Sequence, residues 1–287
     1  MHAAYYKYRF CLGEALNRIF TFLAVSSLFI GGTGFFKTYI GYILLGEPPW
    51  MLTCAIVFLI SFSVYSLDKI ADLDKDVVNM PQRRSFIYGR KRLVLSSSLA
   101  AYLLAVLLTL LSTPIALPIV LIPIIANAFY GTKLLPGVPR LKDIPVMKNV
   151  VVASTWALIT TLMPALSAGC SVVFNIAIVG YFMLVKTFVD SVLYDMRDVE
   201  GDRLNGVRTI PVMLGIRKTT ALLLAVNSTL IFILPYMYGD VRFFTAILIA
   251  YGYAYIFYFM KKLNPIVLDF LVEGEWMLAT LFIFIYL

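Results

Sequence analysis

The stretch "MLTCAIVFLISFSVYSLDKIADLDKD", residues 51–76, joins a long apolar run to a cluster of carboxylates. The run up to Leu67 carries no charge, and an apolar run of about 17–25 residues is long enough to cross a bilayer as a helix. Aspartates then follow at positions 68, 72, 74 and 76. The stretch therefore predicts a membrane-spanning helix that ends in carboxylates at one membrane interface.

The composition of the whole chain agrees with a membrane protein. Of its 287 residues, 61% are hydrophobic and 14% are charged, and the mean hydropathy is +0.88. A soluble domain has about 45–50% apolar and about 25% charged residues. We therefore predict an integral membrane protein.

Cysteine and histidine are too scarce for several kinds of chemistry. Cys11, Cys54 and Cys170 are odd in number and scattered, so they predict neither a disulfide framework nor a CxxC metal site. The one histidine is His2, which excludes histidine-based catalytic triads and histidine-ligated zinc. Metal chemistry in this chain must rest on carboxylates, which suit hard cations such as Mg²⁺.

The hydropathy pattern predicts an all-α integral membrane protein, a bundle of nine transmembrane helices around a central cavity. We treat residues 1–287 as a single membrane-embedded domain. The predicted spans are Ile19–Leu45, Trp50–Leu67, Leu93–Leu111, Pro114–Tyr130, Val150–Ser167, Val172–Tyr194, Thr219–Tyr238, Phe243–Met260 and Pro265–Leu287.

The basic residues predict the orientation. With nine spans and a cytoplasmic N-terminus, all of the 24 Lys and Arg residues fall on the cytoplasmic side except Lys37, Lys186 and Arg242. Lys186 lies within a span, and the other two are assigned to the outer side. The C-terminus is then outside the cell membrane. The basic face suits anionic membrane lipids, and no extramembrane region is large enough to predict nucleic-acid binding.

The opening stretch places three carboxylates on one helix face. Asp68, Asp72 and Asp76 are each four residues apart, so they form a row along a helix. Like charges at this spacing repel one another, and a cation among them would offset the repulsion. Asp74 points elsewhere.

A second row of polar residues closes the sixth predicted span. Lys186, Asp190, Tyr194, Asp198 and Asp202 are also four residues apart, whereas Asp195 and Glu200 fall off this face. Because a lysine inside a span is costly, Lys186 is expected either to pair with Asp190 or to face a wet cavity.

The two segments repeat each other beyond their carboxylates. Asp76 and Asp202 are each followed by Asn three residues later and by Gly thirteen residues later, and then by a basic cluster and a new helix. We interpret this as an internal pseudo-repeat of helix–loop–helix units around residues 50–111 and 172–238. Two such units would face each other across a pocket between carboxylate rows and basic loops.

This pocket would suit an amphiphile. Carboxylates beside Arg and Lys suit Mg²⁺ together with a diphosphate, and the apolar bundle would take a hydrocarbon tail.

The motifs resemble those of the UbiA-type intramembrane prenyltransferases. That family carries an N-D-x-x-D-x-x-x-D type motif at the end of its second helix and D-x-x-x-D at the end of its sixth, in a nine-helix bundle. Here Asp72 and Asp76 match the first motif, and Asp198 and Asp202 match the second. The resemblance spans nearly the whole chain.

Smaller matches and two departures accompany the Asp motifs. Pro81 and Arg83 match a P-x-R sequence of the family. Tyr130 and the stretch "LKDIPVMKN" are similar to a family pattern in which Lys142 and Asn149 fit. Lys148 replaces the usual Gly, and Asp68 stands where the family commonly has Asn.

The resemblance implies Mg²⁺-dependent transfer of a prenyl group from an allylic prenyl diphosphate to a lipophilic acceptor, an aromatic ring or an alcohol, with release of pyrophosphate. Such chemistry serves quinone or membrane-lipid biosynthesis. It implies metal ligands at Asp72, Asp76, Asp198 and Asp202, with Asp68 added, and diphosphate-binding residues at Arg83, Arg84, Lys142, Lys148 and Arg208. Rings of Tyr65, Tyr130 and Tyr194 would shield the allylic cation, and Asp190 or Tyr194 would take the proton.

Two alternatives stay open at this stage. A transporter of a cation or an anionic lipid would also use acidic residues and Lys within its spans. Asp269, Glu273 and Glu275, near the start of the last predicted span, either pair with cations across the bundle or line the acceptor's side of the cavity.

Overall fold

The computed structural model describes residues 22–23, 26–71, 73, 81–131, 144, 146–204, 206–261 and 265–286. Within this part the chain is all-α. Its helices, in chain order, are α1 (Leu28–Leu45), α2 (Met51–Ala71), α3 (Pro81–Tyr88), α4 (Lys91–Ser112), α5 (Leu117–Gly131), α6 (Met147–Ala168), α7 (Val173–Arg197), α8 (Val199–Leu204), α9 (Ile210–Leu214), α10 (Ile216–Ser228), α11 (Gly239–Phe259), α12 (Pro265–Leu268) and α13 (Glu275–Tyr286).

Tighter or wider turns extend some of these helices. A 3-10 turn, Pro114–Ala116, precedes α5, and a 3-10 stretch, Thr229–Tyr236, continues α10. A π-helical turn, Asp269–Glu273, connects α12 to α13. The chain therefore reaches α13 through an irregular segment that carries acidic side chains.

In the described part of the chain, 7 helical segments are long and apolar enough to cross a membrane. They correspond to the predicted spans 1, 2, 3, 5, 6, 7 and 8. The fourth predicted span contains the shorter apolar helix Pro114–Ala126, and the ninth is divided among α12, the π-helical turn and α13. The chain is thus a multi-pass, all-α membrane protein.

Glycine sets the sharp end of α1. Gly46 adopts φ = 77° directly after Leu45, in the left-handed region that side chains disfavour. Its N–H donates to the carbonyl of Ile43, and the next N–H, of Glu47, donates to that of Tyr42. These bonds satisfy carbonyls at the helix end and turn the chain toward α2.

Helix α1 occupies the middle of the bundle, where it contacts α2, α6, α7 and α13. Close approach to α6 depends on Gly41, because a methyl group added there would meet the backbone carbonyl oxygen of Thr160. Helix α7 packs along α6 and also contacts α1. The bundle thereby holds α1, α2, α6 and α7 around a shared interior.

The loops after the two Asp motifs share an order of elements. Helix α3 ends at Tyr88, directly before Gly89, and the long helix α4 follows. Helix α9 ends at Leu214, directly before Gly215, and α10 follows. This common order, a short helix, a glycine and a long helix, is compatible with the pseudo-repeat predicted from the spacing.

The α1–α6 contact gives a stability prediction. We expect Gly41→Ala to lower the free energy of unfolding by about 1–3 kcal/mol, because the new methyl group forces two backbones apart. The matched control is Gly180→Ala in α7, where the added methyl would lie 3.8 Å from the side chain of Thr161, an ordinary contact. Thermal unfolding in detergent measures both, and equal melting temperatures for the two variants would contradict this packing.

Candidate active site

A polar pocket of about 250 Å³ opens among α1, α2, α6, α7 and the segment that begins at Asp269. It is lined by more acids than bases. The acids are Asp68, Asp190, Asp195, Asp198, Asp269 and Glu273, and the bases are Lys37, Lys69, Lys148 and Arg197.

Helix α7 supplies most of the polar wall. Its lining residues are Thr187, Asp190, Ser191, Tyr194, Asp195 and Arg197, and Asp198 follows directly. With successive residues about 100° apart, they cover a sector of about 160°. Asp190 and Asp198 are separated by eight residues, or about 12 Å along a helix axis. The pocket therefore has a mouth near Asp198 and a deep end near Asp190.

Asp195 lies in the wall although strict four-residue spacing excludes it. Lys148 Nζ lies 2.6 Å from one oxygen of Asp195, and Asn149 Nδ2 donates to the other at 2.8 Å. Asn149 also donates to Ser191 Oγ at 2.9 Å. The start of α6 is thus fixed to α7, and Lys148 is held at the pocket wall.

At the mouth, Arg197 binds Asp198 through two hydrogen bonds. Nε donates to Oδ1 at 2.7 Å and Nη2 donates to Oδ2 at 2.8 Å, the strong bidentate geometry of a guanidinium and a carboxylate. The Nη1 atom lies 3.7 Å from Asp269 Oδ1. Arg197 therefore links the end of α7 to the acidic turn before α13.

Asp202 lies on α8, beyond the end of α7, and does not line the pocket. Its N–H donates to the carbonyl of Asp198 at 2.9 Å. Burial raises the pKa of its carboxyl group to about 6; Lys148 opposes this rise, while Asp195 and Asp198 add to it. Among the described residues, its Oδ2 is buried with no hydrogen-bond partner.

The deep end of the pocket joins α1 to α7 through a lysine. Lys37 Nζ donates to Thr187 Oγ1 at 2.6 Å and lies 3.9 Å from Asp190 Oδ2. The other oxygen of Asp190 accepts from the hydroxyl of Tyr255 at 3.3 Å. The Lys37 ammonium also lies 4.7 Å from the centre of a Trp276 ring.

Lys186 has a partner that neither sequence expectation named. It is fully buried and pairs with Glu275 at 2.7 Å. It also donates to Tyr255 at 2.9 Å and to the carbonyl of Leu248 at 3.3 Å. Among the described residues its ion pair is therefore with an acid 89 residues away rather than with Asp190, and its side chain does not line the pocket.

Asp269, Glu273 and Glu275 were expected either to pair with cations or to line the cavity, and the structure shows both. Glu275 pairs with Lys186, and Asp269 lies near Arg197. Glu273 and Asp269 also line the pocket. Asp269 and Glu273 belong to the π-helical turn, whereas Glu275 begins α13 beyond it.

Aromatic rings form part of the same wall. Tyr65 of α2 stacks on Trp156 of α6 with ring centres 5.3 Å apart, and both line the pocket. Tyr194 also lines it, between Asp190 and Asp198 along α7, and the Arg197 guanidinium lies 4.8 Å from its ring centre.

The structure brings six of the predicted site residues together at the pocket, namely Tyr65, Asp68, Lys148, Asp190, Tyr194 and Asp198. Arg84 and Arg208 do not line it: Arg84 lies over the ring of Tyr88, and Arg208 is exposed. The predicted residues Asp72, Asp76 and Lys142, and the side chains of Arg83 and Tyr130, lie outside the described part of the chain.

Sequence reasoning missed several residues of the pocket. Lys37 was assigned to the outer side, but it is 5% exposed in the middle of α1 and lines the deep end. A lysine inside an apolar span is the feature that identified Lys186, and the same feature could have identified Lys37. Asp195, Arg197 and Trp156 gave no separate signal, because their positions depend on how α6 and α7 pack.

The donor set fits Mg²⁺ by its chemistry. Within the described residues, no three His, Cys, Asp or Glu side chains are grouped so as to hold a metal ion. The oxygens available are nevertheless carboxylate oxygens, which Mg²⁺ prefers, and one of them, Asp202 Oδ2, is buried without a hydrogen-bond partner in the described part of the chain. The carboxylate of Asp198 is now bound by Arg197, and a metal ion would take the place of that guanidinium group.

The fold and the pocket define a multi-pass, all-α membrane protein whose polar pocket can take a charged head group. A model of the UbiA prenyltransferase family matches residues 15–266, and the chain belongs to this family. The family resemblance and the prediction of a prenyltransferase are thereby confirmed. Membership also favours the enzyme over the transporter alternative.

Two curated relatives are similar to the chain in sequence. The chain is 28% identical over 172 residues to digeranylgeranylglyceryl phosphate synthase of Methanoculleus marisnigri, covering 60% of this chain and 59% of that protein. It is 28% identical over 211 residues to the synthase of the same name from Sulfolobus acidocaldarius, covering 71% and 73%. The first match thus spans less than two thirds of that relative's length.

A solved structure shares the fold. A UbiA homolog from Archaeoglobus fulgidus bound to GPP and Mg²⁺ superimposes with a TM-score of 0.63. The two chains are 14% identical, and the match covers 90% of this chain and 99% of that one.

The Lys186–Glu275 pair gives a second stability prediction. We expect Lys186→Met to lower the free energy of unfolding by about 3–5 kcal/mol, because it leaves a buried carboxylate without its cation. The double variant Lys186→Met/Glu275→Gln removes both charges and should recover much of the loss. Thermal unfolding measures both; a double variant less stable than the single one would contradict the pairing.

Proposed function

We propose that this protein transfers a prenyl group from an allylic prenyl diphosphate to a hydroxyl group of a lipid, with release of pyrophosphate. The observation that carries the proposal is the pocket, in which Arg197 and Asp198 at the mouth share one cavity with Asp190 at the deep end. Family membership supports the reaction class, and GPP in the Archaeoglobus fulgidus homolog supports the donor class.

The acceptor we propose is a glyceryl phosphate lipid that already carries one geranylgeranyl group. Support comes from the name of the relatives, digeranylgeranylglyceryl phosphate synthase, which describes a product with two such groups. Removing one group from that product leaves a lipophilic alcohol. A quinone-ring precursor, in which the reacting atom is a ring carbon, has no such support.

Mg²⁺ is the proposed cofactor, held by Asp72, Asp76, Asp198 and Asp202, with Asp68 as a further ligand. When bound, the metal would neutralise charge on the diphosphate as its bond to the prenyl carbon breaks. Support comes from the carboxylate chemistry of the two Asp motifs and from Mg²⁺ in the Archaeoglobus fulgidus homolog.

Basic side chains would bind the leaving diphosphate. Lys148 is the best supported of the predicted set, because it lines the pocket while held by Asp195. Arg197 joins it, since its guanidinium lies at the mouth. Arg83 and Lys142 stay in the proposal on the family pattern alone. Arg84 and Arg208 have weaker support, because both lie off the pocket.

Two further roles fall to side chains of the protein: shielding the prenyl cation and accepting the proton of the acceptor. Tyr194, between Asp190 and Asp198 on α7, and the stacked pair Tyr65 and Trp156 would shield the cation with their π faces. Tyr130 keeps this role on the family pattern alone. Asp190 rather than Tyr194 would take the proton, since a carboxylate at the deep end is already held by Tyr255.

We also propose nine spans, a central cavity and the pseudo-repeat, within one membrane-embedded domain of residues 1–287. The shorter helix Pro114–Ala126 and the segment from Pro265 to Tyr286 would cross as the fourth and ninth spans. The N-terminus and the Asp-motif loops would be cytoplasmic, facing anionic lipids, and the C-terminus outside.

The metal-binding role gives an activity prediction. With labelled geranylgeranyl diphosphate, Mg²⁺ and a glyceryl phosphate lipid acceptor, we expect Asp198→Asn to reduce pyrophosphate release by about 10²-fold or more, because charge stabilisation at the breaking bond is lost. The matched control is Glu200→Gln, an exposed carboxylate two residues away, which should retain full activity.

Two results would count against the enzyme. Equal rates of pyrophosphate release for the wild type and Asp198→Asn would show that this carboxylate takes no part in the reaction. Tight binding of the diphosphate by the wild type, with no bond cleavage across a panel of acceptors, would instead indicate transport.

The nine-span topology predicts the location of the C-terminus. Alkaline phosphatase fused after Leu287 should be active, because it would be exported, whereas a fusion after Gly206 should be inactive in the cytoplasm. An inactive C-terminal fusion, with normal expression, would mean an even number of spans.

A further inference from the structure

We propose that Lys37 binds the oxygen of the acceptor's hydroxyl group and holds it against Asp190, so that Lys37 selects an alcohol as the acceptor. This inference rests on the prenyl transfer proposed above and assigns the deep end of the pocket to the acceptor.

Lys37 and Lys186, the two lysines buried well inside the described spans, differ in how their N–H donors are used. An ammonium group has three N–H donors. Lys186 has three acceptors, namely Glu275, Tyr255 and the carbonyl of Leu248, at 2.7–3.3 Å. It does not line the pocket. Lys186 is therefore a satisfied structural lysine.

Lys37 is also buried, at 5% exposed, but its N–H donors are not all used. Among the described residues, it donates one hydrogen bond, to Thr187. Asp190 lies 3.9 Å away, beyond hydrogen-bond distance. The side chain lines the pocket, so its unused donors are available to a bound molecule.

The spacing of the pair suits a hydroxyl group. Lys37 Nζ and Asp190 Oδ2 are 3.9 Å apart. A hydroxyl oxygen between them can lie about 2.8 Å from both atoms, which is a normal hydrogen-bond distance. Lys37 would donate to the hydroxyl oxygen, and the hydroxyl hydrogen would be donated to Asp190. A hydroxyl group is both donor and acceptor, which this site requires.

The charge of the wall favours a neutral group over an anion. Asp190 lies beside Lys37, and Glu273 lines the same pocket. An added anion would face the carboxyl groups of Asp190 and Glu273, whereas a hydroxyl group can donate a hydrogen bond to one of them. The reacting carbon of an aromatic ring has no lone pair for the ammonium group to bind.

The reaction at this site balances. The acceptor oxygen forms a bond to the first carbon of the prenyl group, and the bond from that carbon to the diphosphate oxygen breaks. The electron pair leaves with the diphosphate, and the hydroxyl proton passes to Asp190. Lys37 keeps its protons throughout and positions the oxygen.

The test compares two ligands on the full-length protein by calorimetry. The probes are glyceryl phosphate carrying one geranylgeranyl group and the same lipid with hydrogen in place of its free hydroxyl. The wild type should bind the alcohol about tenfold or more tightly than the deoxy lipid, since a hydrogen bond from an ammonium group is lost with the hydroxyl.

Variants test whether Lys37 causes the preference for the alcohol over the deoxy lipid. Lys37→Met should bind both lipids equally, and Lys37→Gln, which keeps a polar group, serves if the Met variant does not fold. The matched control is Lys186→Met/Glu275→Gln, which removes the other buried ammonium but should keep the preference. In turnover, Lys37→Met should raise KM for the alcohol and leave KM for the diphosphate unchanged.

Equal binding of the two lipids by the wild type would overturn the inference, as would an undiminished preference in Lys37→Met or Lys37→Gln. If the wild type prefers the alcohol through Lys37 but transfers no prenyl group to it, the inference about binding stands and the proposed function fails.

Discussion

An ammonium group in the hydrocarbon interior of a membrane costs about 2.5–3.5 kcal/mol on insertion scales, and the described part of the chain buries two of them, Lys37 and Lys186, well inside its spans. Lys186 recovers the cost through Glu275 and two further acceptors. Lys37 recovers part of it through Thr187 and Asp190. These contacts tie α1, α7 and the last segment together, and the polar pocket exists because their side chains converge.

The pocket separates two tasks along one helix. Asp198 and Arg197 lie at the mouth of α7, where charged head groups would arrive from the membrane interface. Asp190 lies about 12 Å deeper, beside Lys37. Tyr194 lies between them and offers a π face rather than a charge. A donor with a diphosphate and an acceptor with a hydroxyl can therefore meet without competing for the same side chains.

Sequence periodicity predicted much of this arrangement, and its failures have physical causes. Apolar runs located the long helices because a bilayer demands length and hydropathy. Four-residue spacing found Asp190, Tyr194 and Asp198, but the pocket covers about 160° of α7, so it also includes Asp195. The partner of Lys186 could not be predicted, because it depends on the π-helical turn before Glu275.

The lysine of α1 has a consequence for how the protein is made. Its partner Thr187 lies 150 residues later in the chain, and Glu275 lies 89 residues after Lys186. During synthesis α1 therefore enters the membrane with a charge that nothing yet neutralises. The contacts of Lys37 with Thr187 and Asp190 can form only after α7 has been synthesised, so the charge of α1 gains its partners late in translation.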